Sequence, residues 1–105
     1  MSMCKLSEEQ VTLYLGKLQQ WKYENNSITK KFKHGDFKES IAFINAVADL
    51  AEKANHHPDL LIQYDQVTIT LSTHDKHGVT GKDFSLAQEI DGVYRSAATG
   101  GILSY

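Results

Sequence analysis

The sequence predicts an α+β protein in which helices pack on one face of a four-stranded antiparallel sheet, in the order α-β-β-α-β-β-α. Three observations lead to this fold class. The chain has 105 residues, which fits a single domain spanning positions 1 to 105. Apolar residues recur at helical spacing in three segments. Between these segments lie two pairs of short extended stretches, and turn-forming residues separate the members of each pair.

The first helix is predicted from about Ser7 to Leu18. Ser7 and Gln10 have the spacing of a capping box, and apolar residues follow at helical intervals. Two short strands come next, and the pair Asn25-Asn26 between them is typical of a turn. This part of the chain therefore contributes one helix and one hairpin.

The second strand of that hairpin places Ile28 and Phe32 on one face, because side chains alternate along a strand. Lys30, Lys31 and Lys33 form a charge run, which we interpret as a solvated strand face. Three large aromatic residues are expected in the core rather than at a ligand site: Trp21, Phe32 and Phe43.

The longest helix is predicted over Phe37 to Ala54. Asp36 followed by Glu39 is a capping signature, and Pro58 disfavours helix just before it, so the helix should end near Asn55. Two apolar stripes run along this helix. One consists of Phe37, Ile41, Ile44 and Ala48, and the other of Phe43, Val47, Leu50 and Ala54. Two stripes indicate that the helix packs on the sheet and also on a second surface, such as another subunit.

The remaining segments complete the pattern. They are a buried strand at Leu60–Tyr64, a turn at Asp65-Gln66, a half-buried strand with Val67, Ile69 and Leu71 on one face, a loop over Thr73–Gly81, a helix over about Lys82–Tyr94, and a weakly determined tail over Ala97–Tyr105.

Composition narrows the function classes. The net charge of −2 gives no reason to expect nucleic-acid binding. The one cysteine, Cys4, cannot form an internal disulfide or a cysteine-built zinc site. Positions 1–10 lack the apolar run of a secretory signal, and no stretch reaches the roughly 18 apolar residues that span a bilayer. We therefore expect a cytoplasmic protein without a membrane segment.

Four of the five histidines lie within a short span: His56, His57, His74 and His77. Histidine exchanges protons near neutral pH, so a cluster of imidazoles is typical of acid–base catalysis. Glu52 precedes His56 by four residues, and on a continuous helix it would be placed to orient that ring. If the strand from Val67 continues, His74 lies on the same face as Ser72.

Two other interpretations of these histidines stay open. A His-His-Pro segment is commonly a helix-ending turn with solvated imidazoles, and Glu52 beside Lys53 is also an ordinary pattern of helix-surface charge. A metal site built from the same imidazoles is the sharper rival, although adjacent residues such as His56 and His57 do not easily point the same way.

One spacing pattern is more specific than the histidines alone. It consists of Asn55-His56-His57-Pro58, Tyr64, His74 and Asp83. This pattern resembles the signature of the pterin-4a-carbinolamine dehydratase family. The similarity extends over most of the chain, from the Trp21 region onward. Asp83 completes the pattern. It is either a residue of the site or a cap of the last helix.

The resemblance implies removal of water from 4a-hydroxytetrahydropterin to give quinonoid dihydropterin, without a metal or a bound cofactor. It implies a catalytic set of His56, His57, His74 and Glu52, and a pterin-binding set of Asn55, His56, His57, Ser72, Thr73, His74 and Asp75. It also implies a homodimer or homotetramer that regenerates the pterin of an aromatic amino acid hydroxylase. His77 and Leu60 depart from the family pattern, and neither belongs to the proton-transfer set.

Two alternative functions remain at this point. Some members of the family act as dimerisation partners of a transcription regulator, and the long helix would then dock through Phe43, Val47 and Leu50. A metal-dependent hydrolase would use the clustered histidines as ligands.

Overall fold

The structure is a computed structural model that describes residues 5–98, with every side chain in that range except those of His74, Ala97 and Ala98. Cys4 and the predicted tail beyond residue 98 lie outside the described residues. The elements are α1 Glu8–Leu15, β1 Lys22–Glu24, β2 Ser27–Lys33, α2 Phe37–Ala54, β3 Asp59–Gln63, β4 Gln66–Leu71, a 3-10 turn His74–Lys76, and α3 Gly81–Ala98. The predicted order α-β-β-α-β-β-α is therefore confirmed.

The four strands form one antiparallel sheet in the order β1-β2-β4-β3. Each hairpin has a two-residue turn. Asn25 and Asn26 have φ of 52° and 60°, which the twist of a tight hairpin requires and asparagine tolerates. In the second hairpin Gln63 pairs with Gln66, so the turn is Tyr64-Asp65, one residue earlier than predicted.

The core lies between one face of the sheet and the helices α2 and α3. The sheet contributes five fully buried residues: Ile28, Phe32, Val67, Ile69 and Leu71. Phe32 packs against Phe43 of α2 and Tyr94 of α3, with ring centroids 4.9 Å away in both cases, and against Trp21 at 6.0 Å. Trp21, Phe32 and Phe43 are thus core residues as expected.

The prediction that the three lysines of β2 form one solvated face is wrong for Lys30. Lys31 and Lys33 are exposed, whereas the Lys30 side chain is 8% exposed and forms an ion pair of 2.9 Å with Asp91 of α3. The period of two explains the difference, because Lys30 shares the core face of the strand with Ile28 and Phe32.

Strand β3 is not the buried strand that was predicted. Leu60 and Leu61 are 38% and 53% exposed. The strand is at the edge of the sheet and pairs only with β4, so part of its surface meets solvent on either face.

Two helix ends also differ from the prediction. Helix α1 ends at Leu15 rather than Leu18, because the chain continues in 3-10-type bonds from Lys17 N to Tyr14 O and from Leu18 N to Leu15 O. Helix α3 runs past Tyr94 to Ala98.

Helix α2 has both predicted ends. The Asp36 carboxylate accepts from Glu39 N, and Asn55 ends the helix in the left-handed conformation. Of its two stripes, Phe43 and Val47 are buried in the chain's own core, whereas Phe37 and Ile41 are 49% and 37% exposed. The docking face predicted through Phe43 and Val47 is therefore wrong, and the outward stripe is the one that remains open.

Within residues 5–98, no helix combines the length and the apolarity that crossing a membrane requires.

Candidate active site

The end of α2 positions the first of the predicted site residues. Asn55 has φ of 53°, and the amides of Asn55 and His56 donate to Glu52 O and Ala51 O at 3.2 and 3.1 Å. These two bonds form a Schellman motif, which satisfies the last carbonyls of the helix and reverses the chain. His56 therefore leaves the helix pointing back towards the protein, and its side chain is 10% exposed.

His56 meets a buried carboxylate from the other end of the fold. Its Nε2 lies 2.5 Å from Oδ1 of Asp83, and Asp83 is fully buried in the first turn of α3. An ionised carboxylate only accepts hydrogen bonds, so the imidazole donates through Nε2. In the neutral ring the other nitrogen, Nδ1, is then the acceptor.

The second oxygen of Asp83 is held as firmly as the first. Oδ2 accepts from Thr73 Oγ1 and from Thr80 N, both at 2.9 Å. Because the Thr73 hydroxyl donates its proton to Asp83, it must accept in its 2.8 Å contact with Thr80. The Thr80 hydroxyl is therefore the donor in that contact. The carboxylate is thus fixed by three polar contacts, one from His56, one from Thr73 and one from Thr80.

Glu52 pairs with His57, not with His56. Its Oε2 lies 2.7 Å from His57 Nε2, and both side chains face solvent, at 78% and 57% exposed. The predicted pairing of Glu52 with His56 assumed a continuous helix. It is wrong because the left-handed Asn55 breaks the helical spacing before His56 is reached.

The loop after β4 carries the remaining predicted residues. Strand β4 ends at Leu71, so the expected continuation of the strand to His74 is wrong, and His74 instead begins the 3-10 turn. The His74 side chain lies outside the described part of the chain. Thr73 is buried and pairs with Gly78 across the loop, while Asp75 is exposed.

The structure brings together His56 and Thr73 through Asp83, and Glu52 with His57. Asn55 is exposed beside them, and Ser72 is half-buried. Outside the undescribed side chains, His74 among them, no three histidine, cysteine or acidic residues lie close enough to hold one metal ion.

Asp83 and Thr80 are the residues whose part in this arrangement the sequence interpretation did not foresee. Asp83 was left between a cap and a site role, and it has both: it accepts from Thr80 N in the manner of a capping box and also binds His56. The available signal was the spacing of Thr80 and Asp83 at the start of α3. Nothing local in the sequence shows that the end of α2 reaches that point.

Fold and site together define a small α+β protein with imidazole–carboxylate pairs where its long helix ends. The sequence matches the family described as pterin 4 alpha carbinolamine dehydratase over residues 4–93. The chain belongs to the pterin-4a-carbinolamine dehydratase family.

Individual relatives agree with that assignment. Proteins of Chloroflexus aggregans and Sulfolobus acidocaldarius, both named as proposed pterin-4-alpha-carbinolamine dehydratases, are 48% and 44% identical to the chain. The matches cover 85% and 83% of this chain and 96% of each relative.

Solved structures share the fold. A transcriptional coactivator/pterin dehydratase from Brucella melitensis superposes with a TM-score of 0.83 at 33% identity, over 86% of this chain and 98% of that one. A pterin dehydratase-like protein described as a RuBisCO assembly factor in the alpha-carboxysome has a TM-score of 0.59 at 23% identity, over 70% and 86% of the two chains. The second likeness concerns the fold alone.

Proposed function

We propose that the protein removes water from 4a-hydroxytetrahydropterin, with histidines as the proton-transfer groups. Family membership supports the reaction class. The observation that carries the proposal is the buried contact between His56 and Asp83, because such a contact fixes both the direction of the ring and the position of its proton.

The reaction requires two proton transfers. The bond between C4a and its hydroxyl oxygen breaks, and that oxygen leaves as water with a proton from an acid. A neighbouring ring N–H gives its proton to a base, and its electron pair forms the new C=N bond of quinonoid dihydropterin. Each positioned transfer contributes on the order of 10²–10⁴ in rate.

His56 is suited to be the base. With Nε2 donating to Asp83, Nδ1 of the neutral ring is free to accept the substrate proton. His57 is suited to deliver the proton to the leaving oxygen, in company with His74. In its protonated form His57 donates Nε2–H to Glu52 and carries on Nδ1 the proton that goes to the leaving oxygen. In this scheme Asp83 and Glu52 are positioning residues, and the imidazoles touch the substrate.

The pterin itself would be held by the segments that flank the histidines. Around the end of α2 these are Asn55, His56 and His57, and around the end of β4 they are Ser72, Thr73, His74 and Asp75. The contacts of Asp83 support this placement, because it binds Thr73 from one segment and His56 from the other.

The central experiment follows the decay of 4a-hydroxytetrahydropterin by rapid spectroscopy with wild type, His57→Ala and His74→Ala. Each substitution removes one transfer, so we expect each to lower the rate by at least about tenfold while circular dichroism shows the fold intact. The matched control is His77→Asn, since His77 is exposed and has φ of 54°, a conformation that asparagine tolerates. Wild-type rates in both alanine variants would remove the histidine mechanism.

We propose in addition that the reaction requires no metal ion and that it takes part in pterin recycling. Elemental analysis of protein purified without a histidine tag should find no stoichiometric metal, and stoichiometric zinc or iron would favour the hydrolase alternative. Adding the protein to an aromatic amino acid hydroxylase under limiting tetrahydrobiopterin should raise the turnover of that pterin. An unchanged yield would argue against this link. We place the reaction in the cytoplasm, as expected for a protein whose sequence has one cysteine.

We also propose that the chain forms a homodimer or homotetramer through α2. The support is the open stripe of Phe37 and Ile41, two large apolar side chains on the outward face of a long helix. Sedimentation should show more than one chain per particle in wild type and a smaller species for Ile41→Lys. Leu61→Lys, an exposed apolar residue of β3, is the control that should keep the wild-type mass. A monomeric wild type would contradict the proposal.

A further inference from the structure

A cavity of about 510 Å³ lies away from the histidines, between the segment that follows α1 and the second half of α3. Its lining consists of Lys17, Leu18, Gln19, Gln20, Lys30, Gln88, Asp91, Tyr94 and Arg95. None of these residues belongs to the candidate active site. Along α3, Asp91 is eight residues beyond Asp83, or about 12 Å. The volume is in the usual range for small-molecule sites.

The floor of this cavity is a buried polar cluster. Asp91 accepts from Trp21 Nε1 at 3.1 and 3.0 Å through its two oxygens, and from Lys30 Nζ at 2.9 Å. The carboxylate is therefore already supplied with donors and is neutralised by Lys30. Lys30 is different: its ammonium has three protons, and among the described residues Asp91 is its only hydrogen-bond acceptor. The ammonium also lies 4.8 Å from the centroid of the Phe32 ring, a contact that leaves at least one proton for a ligand. A cation that is 92% buried thus lines a cavity with donor capacity to spare.

Two more cations complete the lining. Lys17 and Arg95 form no ion pair with any described residue, and each stands on a different wall of the cavity, one after α1 and one on α3. With Lys30 and the single carboxylate of Asp91, the lining carries a net charge of +2. Three glutamines add amide donors, whereas Leu18 and the Tyr94 ring are apolar.

We propose that this cavity binds the phosphate monoester of a small organic molecule. A phosphate monoester carries a charge near −2 at neutral pH, which matches the lining. Arginine and lysine are the side chains that bind phosphate oxygens, the first as a fork and the second as a point charge. The cavity is larger than a phosphate group, so Leu18 and Tyr94 have room to contact the organic part of the ligand.

The conformation of the loop before Trp21 is consistent with the proposal. Gln20 holds φ of 69°, an uncommon conformation for a residue with a side chain. Trp21 anchors the loop from the next position through its bond to Asp91. Gln20, itself a lining residue, is thus held in an uncommon conformation beside an anchored tryptophan, and such residues occur more often at ligand sites than elsewhere.

Phenyl phosphate is the probe, and phenol is its uncharged counterpart. Binding is followed by calorimetry at low salt and by the emission of Trp21, the only tryptophan of the chain, whose indole is bonded to a lining residue. We expect saturable binding of one phenyl phosphate per chain with Kd below about 1 mM, and no saturable binding of phenol. Absence of saturable binding of phenyl phosphate would overturn the proposal. Equal affinity for phenol would overturn its electrostatic basis.

The matched variants are Arg95→Gln and Lys31→Gln. Each removes one exposed positive charge, the first inside the cavity and the second outside it. Arg95→Gln should weaken phenyl phosphate binding at least about tenfold, equivalent to about 1.4 kcal/mol. Lys31→Gln should change it less than about twofold, because an exposed charge on the opposite sheet face is screened. Equal losses in the two variants would show a bulk charge effect and refute the site. The dehydration rate of Arg95→Gln should equal that of wild type, so the outcome is independent of the histidine mechanism.

Discussion

Replacing Asp83 with asparagine tests whether the buried carboxylate sets the proton position on His56. Asparagine keeps the size of the side chain and an acceptor oxygen for its two donors, Thr73 Oγ1 and Thr80 N, each 2.9 Å away. Its NH₂ group then faces His56 Nε2, which lies 2.5 Å from Oδ1 in the wild type. Because an amide N–H only donates, Nε2 must become the acceptor, and the neutral ring must carry its proton on Nδ1.

Two magnitudes follow from this change. All three hydrogen bonds to Asp83 lose their charge assistance, so the free energy of unfolding should fall by about 1–3 kcal/mol. The effect on catalysis is larger, because His56 Nδ1 can no longer accept a proton. We expect the rate of dehydration to fall by about 10²–10⁴-fold. A purely structural role for Asp83 would lower stability without such a loss of rate in the folded protein.

The control is Asp91→Asn, which alters the other buried carboxylate of α3. It leaves the Lys30 ammonium buried without its counter-ion, and this should cost about 3–5 kcal/mol. Asp91→Asn should thus be the less stable variant and yet retain the wild-type rate when folded. Urea unfolding gives the stability, rapid spectroscopy gives the rate, and ¹⁵N chemical shifts of the imidazole give the tautomer. A rate of Asp83→Asn within about twofold of wild type, or an unchanged His56 tautomer, would refute the reasoning.

Two further predictions concern the exposed pair and His34. Glu52→Gln should change the unfolding free energy by less than about 0.5 kcal/mol in urea titration, because both partners are mostly exposed; a larger loss would mean that the pair is buried in the assembled protein. Burial lowers the pKa of His34 below its ordinary 6.5, against the raising effect of Glu39 and Asp65. Between the lowered pKa and the ordinary value of 6.5, the unfolded chain therefore binds more protons than the folded one. Stability should decrease as the pH falls from about 6.5 to the lowered pKa. His34→Phe, which keeps the ring between its aromatic neighbours, should lose less stability than wild type between about pH 7.5 and pH 5; equal pH profiles in urea titrations would exclude His34 as the source.

The fold was predictable because its signals are local. The caps at Ser7 and Asp36, the asparagine turn, and the alternation along β4 each follow from a few neighbouring residues. Errors arose where position in the sheet decides. Leu60 and Leu61 read as a buried run, yet they lie on an edge strand. Which strand lies at the edge depends on the pairing order, and no local pattern contains that order.

The site was predictable in part for a related reason. The histidines at the end of α2 were found from the sequence itself, and their catalytic role stays what the family resemblance implies. The partner of each imidazole depends instead on how the chain leaves the helix. One left-handed residue, Asn55, sends His56 inward to Asp83 and His57 outward to Glu52. Helical spacing alone joined Glu52 to the wrong ring.

For Lys30, the alternation of side chains along the strand predicted the correct face, but we gave more weight to the charge of the residue. Alternation along β2 put Lys30 on the core face with Ile28 and Phe32, but its charge argued for solvent. The charge argument fails because a lysine can be buried when a carboxylate neutralises it. That carboxylate, Asp91, is 61 residues away in sequence. Helix α3 supplies both buried carboxylates of the core, one for His56 and one for Lys30. An unpaired charge in either place would be costly, so these two contacts restrict how α3 can slide or rotate on the sheet, more tightly than apolar packing alone could. A displacement of α3 caused by a substitution at Asp91 reaches Asp83 only if the helix moves as a rigid body. Measuring the dehydration rate and the His56 tautomer in both variants distinguishes such a movement from a local change at Asp83.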